Sequence, residues 1–133
     1  MDNPFLSLEI HKQFQNFLLD VKLDLMAGIT AFFGPSGAGK STTLNSIAGF
    51  SSPDEGEIIL EGRTLFRFTR PGSGYRIDLP PEQRRIGYLL QNTLLFPHLS
   101  VRQNLLYGYR RTPKIRRRIQ LEDLIEILEF QYN

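Results

Sequence analysis

An α/β fold is predicted by three adjoining features of the sequence. A short apolar run, Gly28 to Phe33, passes into a glycine-rich turn, Gly34-Pro35-Ser36-Gly37-Ala38-Gly39, and the turn opens a helical stretch from Lys40 to Ala48. The run reads as a buried strand. The stretch reads as a helix with Leu44, Ile47 and Ala48 on one face and Gly49 as its stop.

The segments around this unit fit the same class. Leu6 to Phe14 and Phe17 to Leu25 read as two strands. In the second, Phe17, Leu19, Val21, Leu23 and Leu25 alternate with Leu18, Asp20, Lys22 and Asp24, the pattern of a half-buried antiparallel strand. Ser51 to Gly56 is a turn, Glu57 to Leu60 a strand, and Glu61-Gly62-Arg63 a second turn. Phe66 to Pro81, rich in Gly, Pro and Arg, reads as an irregular loop or hairpin arm, and Ile86 to Leu90 as another buried strand. Val101 to Tyr107 reads as a helix capped by Ser100. The charges favour two helices beyond it over one long helix. Thr112-Pro113 opens the first, a break falls near Gln120, and Leu121, Leu124, Ile125 and Leu128 form an apolar stripe on the second.

Composition excludes several classes. The 133 residues carry sixteen Lys and Arg against fourteen Asp and Glu, a net charge of +2, too small to argue for nucleic acid. The basic clusters, Arg84-Arg85 and Arg110-Arg111 through Arg118, read as solvated faces. With no cysteine, disulfides and thiolate-ligated metals are excluded. No apolar run approaches a membrane span, and Met1-Asp2-Asn3-Pro4 does not open a signal peptide. The expected location is cytoplasmic, with any membrane link made through a partner.

Gly34-Pro35-Ser36-Gly37-Ala38-Gly39-Lys40-Ser41 matches G-x-x-x-x-G-K-[ST] at every fixed position. Glycines let the backbone take positive φ and approach a phosphate without an intervening Cβ. Successive N–H groups up to Thr42 then form an anion-binding nest, to which the helix N-terminus adds its free donors and positive dipole end. Lys40 is the mobile charge for the β- and γ-phosphates, and the Ser41 hydroxyl is a hard ligand for Mg²⁺. The expected ligand is therefore ATP with Mg²⁺, held by Gly34 through Thr42. The motif alone does not choose among transport ATPases, kinases and GTPases.

Arg84-Arg85-Ile86-Gly87-Tyr88-Leu89-Leu90-Gln91-Asn92, followed by Leu95-Phe96-Pro97-His98-Leu99-Ser100-Val101 and Asn104-Leu105, resembles the glutamine-loop region of ABC transporter ATPases. Ser36 to Leu44, Pro53 to Ile58 and Leu79 to Arg85 resemble importer ATPases of that family. Gly62-Arg63-Thr64-Leu65-Phe66 with the long arm after it, and Ser100 to Tyr109, resemble its molybdate-import branch. The resemblance implies a P-loop NTPase core of ABC type, with an N-terminal antiparallel β subdomain (residues 1–96 with the P-loop core) and the start of a helical subdomain (97–133). It also implies that Gln91 approaches Mg²⁺ and the attacking water, and that Phe96-Pro97-His98-Leu99 lies near the contact with a transmembrane permease subunit. A second ATPase subunit is the other implied partner, in a homodimer peripheral to the inner face of the membrane. Gln91 would stand at the C-terminal end of a buried strand, where ligands of open α/β sheets collect.

The family stacks an aromatic side chain on adenine, and Phe14 and Phe17 are the candidates. Its Leu-Ser-Gly-Gly-Gln signature, its apolar strand ending in Asp-Glu and its switch histidine do not occur among these residues. His11 reads as a strand-face residue and His98 as a loop residue. The chain therefore resembles the N-terminal portion of a longer ATPase domain, expected to bind nucleotide weakly and hardly to hydrolyse it. A truncated nucleotide-binding module is the alternative. A small-molecule kinase is a third reading, which Gln91 discriminates: a kinase is indifferent to Gln91→Ala, whereas a transport ATPase loses coupling.

Overall fold

The computed structural model describes residues 3–69, 75–91 and 95–113, with single positions at 115, 117, 120, 123 and 126. The chain forms two compact units, Met1–Tyr88 and Leu89–Asn133.

The first unit is built on a hairpin. Strands β1 (Leu6–Gln13) and β2 (Leu18–Leu25) pair antiparallel, with Leu8 opposite Leu23 and Ile10 opposite Val21. The turn is closed by the Phe14 N–H, which donates to the Phe17 carbonyl at 2.7 Å. Helix α1 (Lys40–Ala48) follows, then β3 (Glu55–Leu60), β4 (Arg63–Phe68), β5 (Ile77–Asp78) and a single helical turn, α2 (Pro81–Arg84). The five strands form one antiparallel sheet in the order β2-β1-β3-β4-β5.

Strand alternation gives the sheet two chemically different faces. Leu6, Leu8 and Ile10 of β1 share the inner face with Leu19 and Ile58, and Ile47 of α1 packs on them. On the outer face Glu9 and His11 lie opposite Lys22 and Asp20. There the Lys22 ammonium donates to Glu9 Oε2 at 2.6 Å, Asp20 approaches His11 Nδ1 at 3.3 Å, and Arg67 pairs with Glu57. These pairs are exposed, so the apolar face carries the stability. Each fully buried Leu or Ile contributes about 1.5–3 kcal/mol.

A bulge explains an exception to the alternation. Ile58 pairs with Phe66 but Ile59 with Thr64, leaving Leu65 as the extra residue on β4. Consecutive side chains, Leu65 and Phe66, are thereby both fully buried. Gly56 serves the β1–β3 pairing, because a Cβ there would lie 2.0 Å from the Glu9 carbonyl oxygen.

Several sequence expectations are corrected. Gly28 to Phe33 is not a strand, and Ile29 and Phe33 are fully exposed. Ile86 to Leu90 is likewise not a strand, and Leu89 is 90% exposed. An apolar run becomes a strand only where a neighbour completes its hydrogen bonds, and among the described residues no strand pairs with either run. Arg63, expected in a turn, opens β4, and Phe66 lies within that strand; of the loop and hairpin-arm alternatives for Phe66 to Pro81 the hairpin holds, because β4 and β5 pair antiparallel; residues 70–74 of that arm lie outside the described set. Helix α1 turns Thr43, Ser46 and Ile47 inward and leaves Leu44 41% exposed. The buried face is Thr43, Ser46, Ile47 and Ala48, so of the three apolar residues expected on one face Ile47 and Ala48 are buried and Leu44 is not.

In the second unit, α3 runs Val101–Arg111, four residues longer than expected. Ser100 and Gln103 form a reciprocal capping box at its start, and Arg110 and Arg111 suit its negative end. The proposed helices after Pro113, with the stripe from Leu121 to Leu128, lie mostly outside the described residues.

The two faces predict different mutational costs. Ile58→Ala should lower unfolding free energy by about 2–5 kcal/mol in a urea titration, the usual cost of emptying a packed site. Ile59→Ala, on the other side of the sheet, should cost less; equal losses would contradict the assignment of the faces.

Candidate functional site

The loop between Phe33 and Lys40 is shaped by its backbone. Gly37 has φ +84° and Gly39 φ +87°, both left-handed. Gly39 has a second constraint: a Cβ there would lie 2.5 Å from Leu19 Cδ1 and 3.3 Å from Phe17 Cζ. A side chain at Gly39, the residue before α1, would therefore collide with Leu19 of β2. Gly34, by contrast, takes no positive φ and has room for a Cβ.

Helix α1 begins at Lys40, with no acidic residue in its first turn and no side-chain cap at Gly39. The Thr43 N–H donates to the Gly39 carbonyl at 2.8 Å, and the Thr43 hydroxyl donates to the same oxygen at 3.0 Å. The N–H groups ahead of Thr43 have no acceptor one turn earlier within the helix, so this end presents donors and a positive dipole. The Lys40 ammonium donates to the carbonyls of Gly34 at 2.7 Å and Pro35 at 2.6 Å, folding over the loop it would serve. Ser41 is exposed and Thr42 half-buried. A cleft of about 700 Å³ opens beside Lys40 and Ser41, bounded by Met26, Thr30, Phe32 and Leu44. A loop of backbone donors with one cation resting on its carbonyls suits a polyanion. No group of three or more acidic or histidine side chains able to hold a metal occurs among the described residues. A divalent cation here would rest on Ser41 Oγ and on the anion's own oxygens, as a phosphate-borne Mg²⁺ does.

Phe14 and Phe17 flank the hairpin turn with ring centroids 6.2 Å apart, both more than one-third exposed. A Cβ at Gly39 would lie 3.3 Å from Phe17 Cζ, and the Lys12 ammonium lies 5.6 Å from the Phe14 ring centre.

The other end of α1 holds what sequence reasoning missed. Arg84, read above as part of a solvated basic cluster, is 1% exposed. Its Nη1 donates to the carbonyls of Ser46 at 2.6 Å and Ile47 at 3.0 Å, its Nε to the Leu79 carbonyl at 2.6 Å, and its Nη2 to Asp78 Oδ1 at 3.0 Å. Burial pulls this guanidinium below its ordinary pKa, while the Asp78 carboxylate beside it acts in the opposite direction. An arginine stays charged through such shifts, so a full cation sits at the negative end of α1. Gly49, with φ +90°, leaves the space, since a Cβ there would lie 2.6 Å from Arg84 Nε. Four residues on, the Tyr88 hydroxyl donates to Asn45 Oδ1 at 2.6 Å and its ring packs on Phe50 at 5.4 Å. No local signal in the sequence marks it, because Arg84 stands between Gln83 and Arg85 and its partners at Ser46 and Ile47 are distant in the chain.

In the second unit Gln91 is exposed at a bend. The turn from Phe96 to Leu99 is organised by Asn104, whose Oδ1 accepts from the Phe96 N–H at 2.8 Å. Asn104 Nδ2 donates to the carbonyls of Phe96, Leu99 and Ser100 at 3.1–3.2 Å. The Phe96 ring packs on Tyr107 at 4.3 Å and meets His98 edge-on at 5.9 Å.

Comparison with known proteins agrees with this architecture. The family model described as ABC transporter matches residues 18–132. The chain is 46% identical over 123 residues to the molybdenum import ATP-binding protein ModC of Paramagnetospirillum magneticum, an alignment covering 92% of this chain and 32% of that protein. It is 47% identical over 126 residues to that of Aliivibrio fischeri (92% and 33% covered) and 40% identical over 123 residues to that of Rhodospirillum rubrum (92% and 32%). The chain thus spans about a third of the length of these relatives. With the family model matched over residues 18–132 and these relatives at 40–47% identity over 92% of its length, the chain belongs to the ABC transporter family.

Proposed function

We propose that this chain is the nucleotide-binding part of an importer ATPase, binding ATP with Mg²⁺ in the loop from Gly34 to Thr42. The observation that carries the reading is the phosphate loop: left-handed Gly37 and Gly39, an acid-free helix start, and Lys40 resting on loop carbonyls. The roles follow from chemistry. Backbone donors of the loop bind the phosphate oxygens, and Lys40 exchanges its carbonyl partners for the β- and γ-phosphates. Ser41 would hold Mg²⁺, which when bound supplies charge neutralisation to the phosphates. Gln91 would orient the water, and Phe14 or Phe17 would carry the adenine face.

The relatives named as molybdenum importers support molybdate or a related oxyanion as the transported species. A permease subunit, met near Phe96 to Leu99, and a second ATPase subunit are the proposed partners, with residues 1–96 as β subdomain and P-loop core and 97–133 as the start of a helical subdomain; the compact units divide earlier, between Tyr88 and Leu89. No helix among the described residues is long and apolar enough to cross a membrane, which suits an ATPase held at the inner face by its permease.

Isothermal titration of the chain with MgATP tests the reading. Lys40→Ala should weaken binding by about ten- to a hundredfold, the worth of a charge-assisted hydrogen bond; unchanged affinity, or no binding at millimolar MgATP, would sink it. Truncating the stacking aromatic should cost about 1–3 kcal/mol of ATP binding. Comparing Phe14→Ala with Phe17→Ala identifies it, because only a base-stacking role leaves affinity for inorganic triphosphate unchanged. A phosphate-release assay on the 133 residues should show negligible turnover, since they contain no Asp-Glu strand end to activate water. Turnover at the rate of a complete ATPase domain would contradict that.

A further inference from the structure

Alternation along β1 puts Lys12 on the apolar face, after Leu6, Leu8 and Ile10 and opposite the buried Leu19. A cation there breaks the pattern. The outer-face cations Lys22 and Arg67 pair with Glu9 and Glu57, whereas half-buried Lys12 belongs to no ion pair among the described residues. Its ammonium donates to the Ser52 carbonyl and lies 5.6 Å from the centre of the Phe14 ring, inside the range of a cation–π contact. The anchor is itself fixed, because Pro53 is buried and the Ser52 hydroxyl donates to Asp78 Oδ2 at 2.7 Å. The backbone beside the ring is held from the same segment. The Asp54 N–H donates to the His11 carbonyl at 2.9 Å, and Asp54 Oδ2 accepts from the Gln13 N–H at 2.7 Å. Gln13 Nε2 then donates to the Phe14 carbonyl within the turn.

We infer that Lys12 is a positioning residue for base binding: tied to Ser52, its ammonium holds the Phe14 ring in the orientation that receives the base of a nucleotide. The inference rests on the proposal that nucleotide binds at the phosphate loop, and it gives the stacking role to Phe14. The two rings of the hairpin differ in what surrounds them. A Cβ at Gly39 would lie 3.3 Å from Phe17 Cζ and 3.5 Å from Phe17 Cε1, so that edge of Phe17 borders the loop and shapes it. Phe14, its ring centre 6.2 Å away, is 39% exposed and faces the cation. The physical basis is preorganisation. A ring that is free to turn must be ordered when a base stacks on it, and that ordering weakens binding. A ring already held by a cation, on a turn already closed by Gln13 and Asp54, loses little further freedom. An apolar side chain at position 12 would suit the sheet face as well as the lysine stem does. The charge serves the ring.

The test is calorimetric titration with MgATP and, in parallel, with magnesium tripolyphosphate, which has the phosphates and no base. Lys12→Gln keeps a donor for the Ser52 carbonyl and removes the charge. It should weaken MgATP binding about two- to fivefold, the worth of an exposed cation–π contact, and leave tripolyphosphate affinity unchanged. Lys12→Arg, which keeps a cation over the ring, should restore MgATP affinity. In a Phe14→Ala background, Lys12→Gln should cause no further loss. If Lys12→Gln does not fold, Asp54→Ala carries the same comparison, since it frees the Gln13 N–H and leaves the ring in place. Equal losses for both ligands would overturn the inference, because the charge would then act on the phosphates or on the fold. So would no loss for either, a loss that Lys12→Arg does not restore, or a loss that persists without the Phe14 ring. MgATP binding that is indifferent to Phe14→Ala would overturn the role of Lys12 and leave the nucleotide reading intact. Absence of binding by the wild-type chain would overturn both.

Discussion

A guanidinium withdrawn from water needs acceptors in the protein, and Arg84 finds four, two of them at the end of the helix that follows the glycine-rich loop. The arrangement around it is one connected requirement. The last carbonyls of α1 need donors, because no further turn supplies them. Arg84 supplies two, and its charge opposes the negative end of the helix dipole. Space for it demands a glycine at position 49, which also ends the helix in a left-handed turn. Its charge is matched by Asp78, which β5 carries opposite Phe66 of β4. Removing one member would leave a buried charge or buried carbonyls unmatched, and either is costlier than the pair is worth.

The two ends of α1 are therefore unlike in purpose. Its start is left electrically open: no acid, no side-chain cap, and a lysine resting on loop carbonyls. Its end is closed by a cation, a glycine and a tyrosine. The helix is packed against the sheet mostly through small residues, with Ile47 as its contribution to the apolar core. A short helix of modest apolarity is thus held in place by its terminus as much as by its face. The same economy appears at Asn104, where one side chain organises the turn from Phe96 to Ser100 that leads into α3.

Much of this was legible in the residues. The β1–β2 hairpin followed from strict alternation, and the structure buries Leu19 and half-buries Val21, Leu23 and Leu25 as that alternation requires. The glycine-rich turn and the helix from Lys40 to Ala48 followed from spacing, and the capping of α3 from Ser100. The fold class and family followed from the loop together with the glutamine segment. Other features were not legible. Gly28 to Phe33 and Ile86 to Leu90 are as apolar as any buried strand, yet apolarity reports a tendency to leave water and not the presence of a pairing neighbour. Strand β4 was hidden because its bulge sets Leu65 and Phe66 side by side on a face where alternation permits only one.

What the sequence determined by itself is local: which residues can form a phosphate nest, where a helix can start, and which face of a hairpin prefers oil to water. Those depend on φ preferences, side-chain reach and periodicity, all properties of a few neighbouring residues. Only the tertiary structure decided that Arg84 is buried while Arg85 beside it is exposed, because burial of a charge depends on acceptors tens of residues away. It also decided that Gly39 must lack a side chain for the sake of Leu19 as well as for its backbone. A motif specifies what a loop can hold; the contacts behind it, assembled from distant segments, specify where the loop is held.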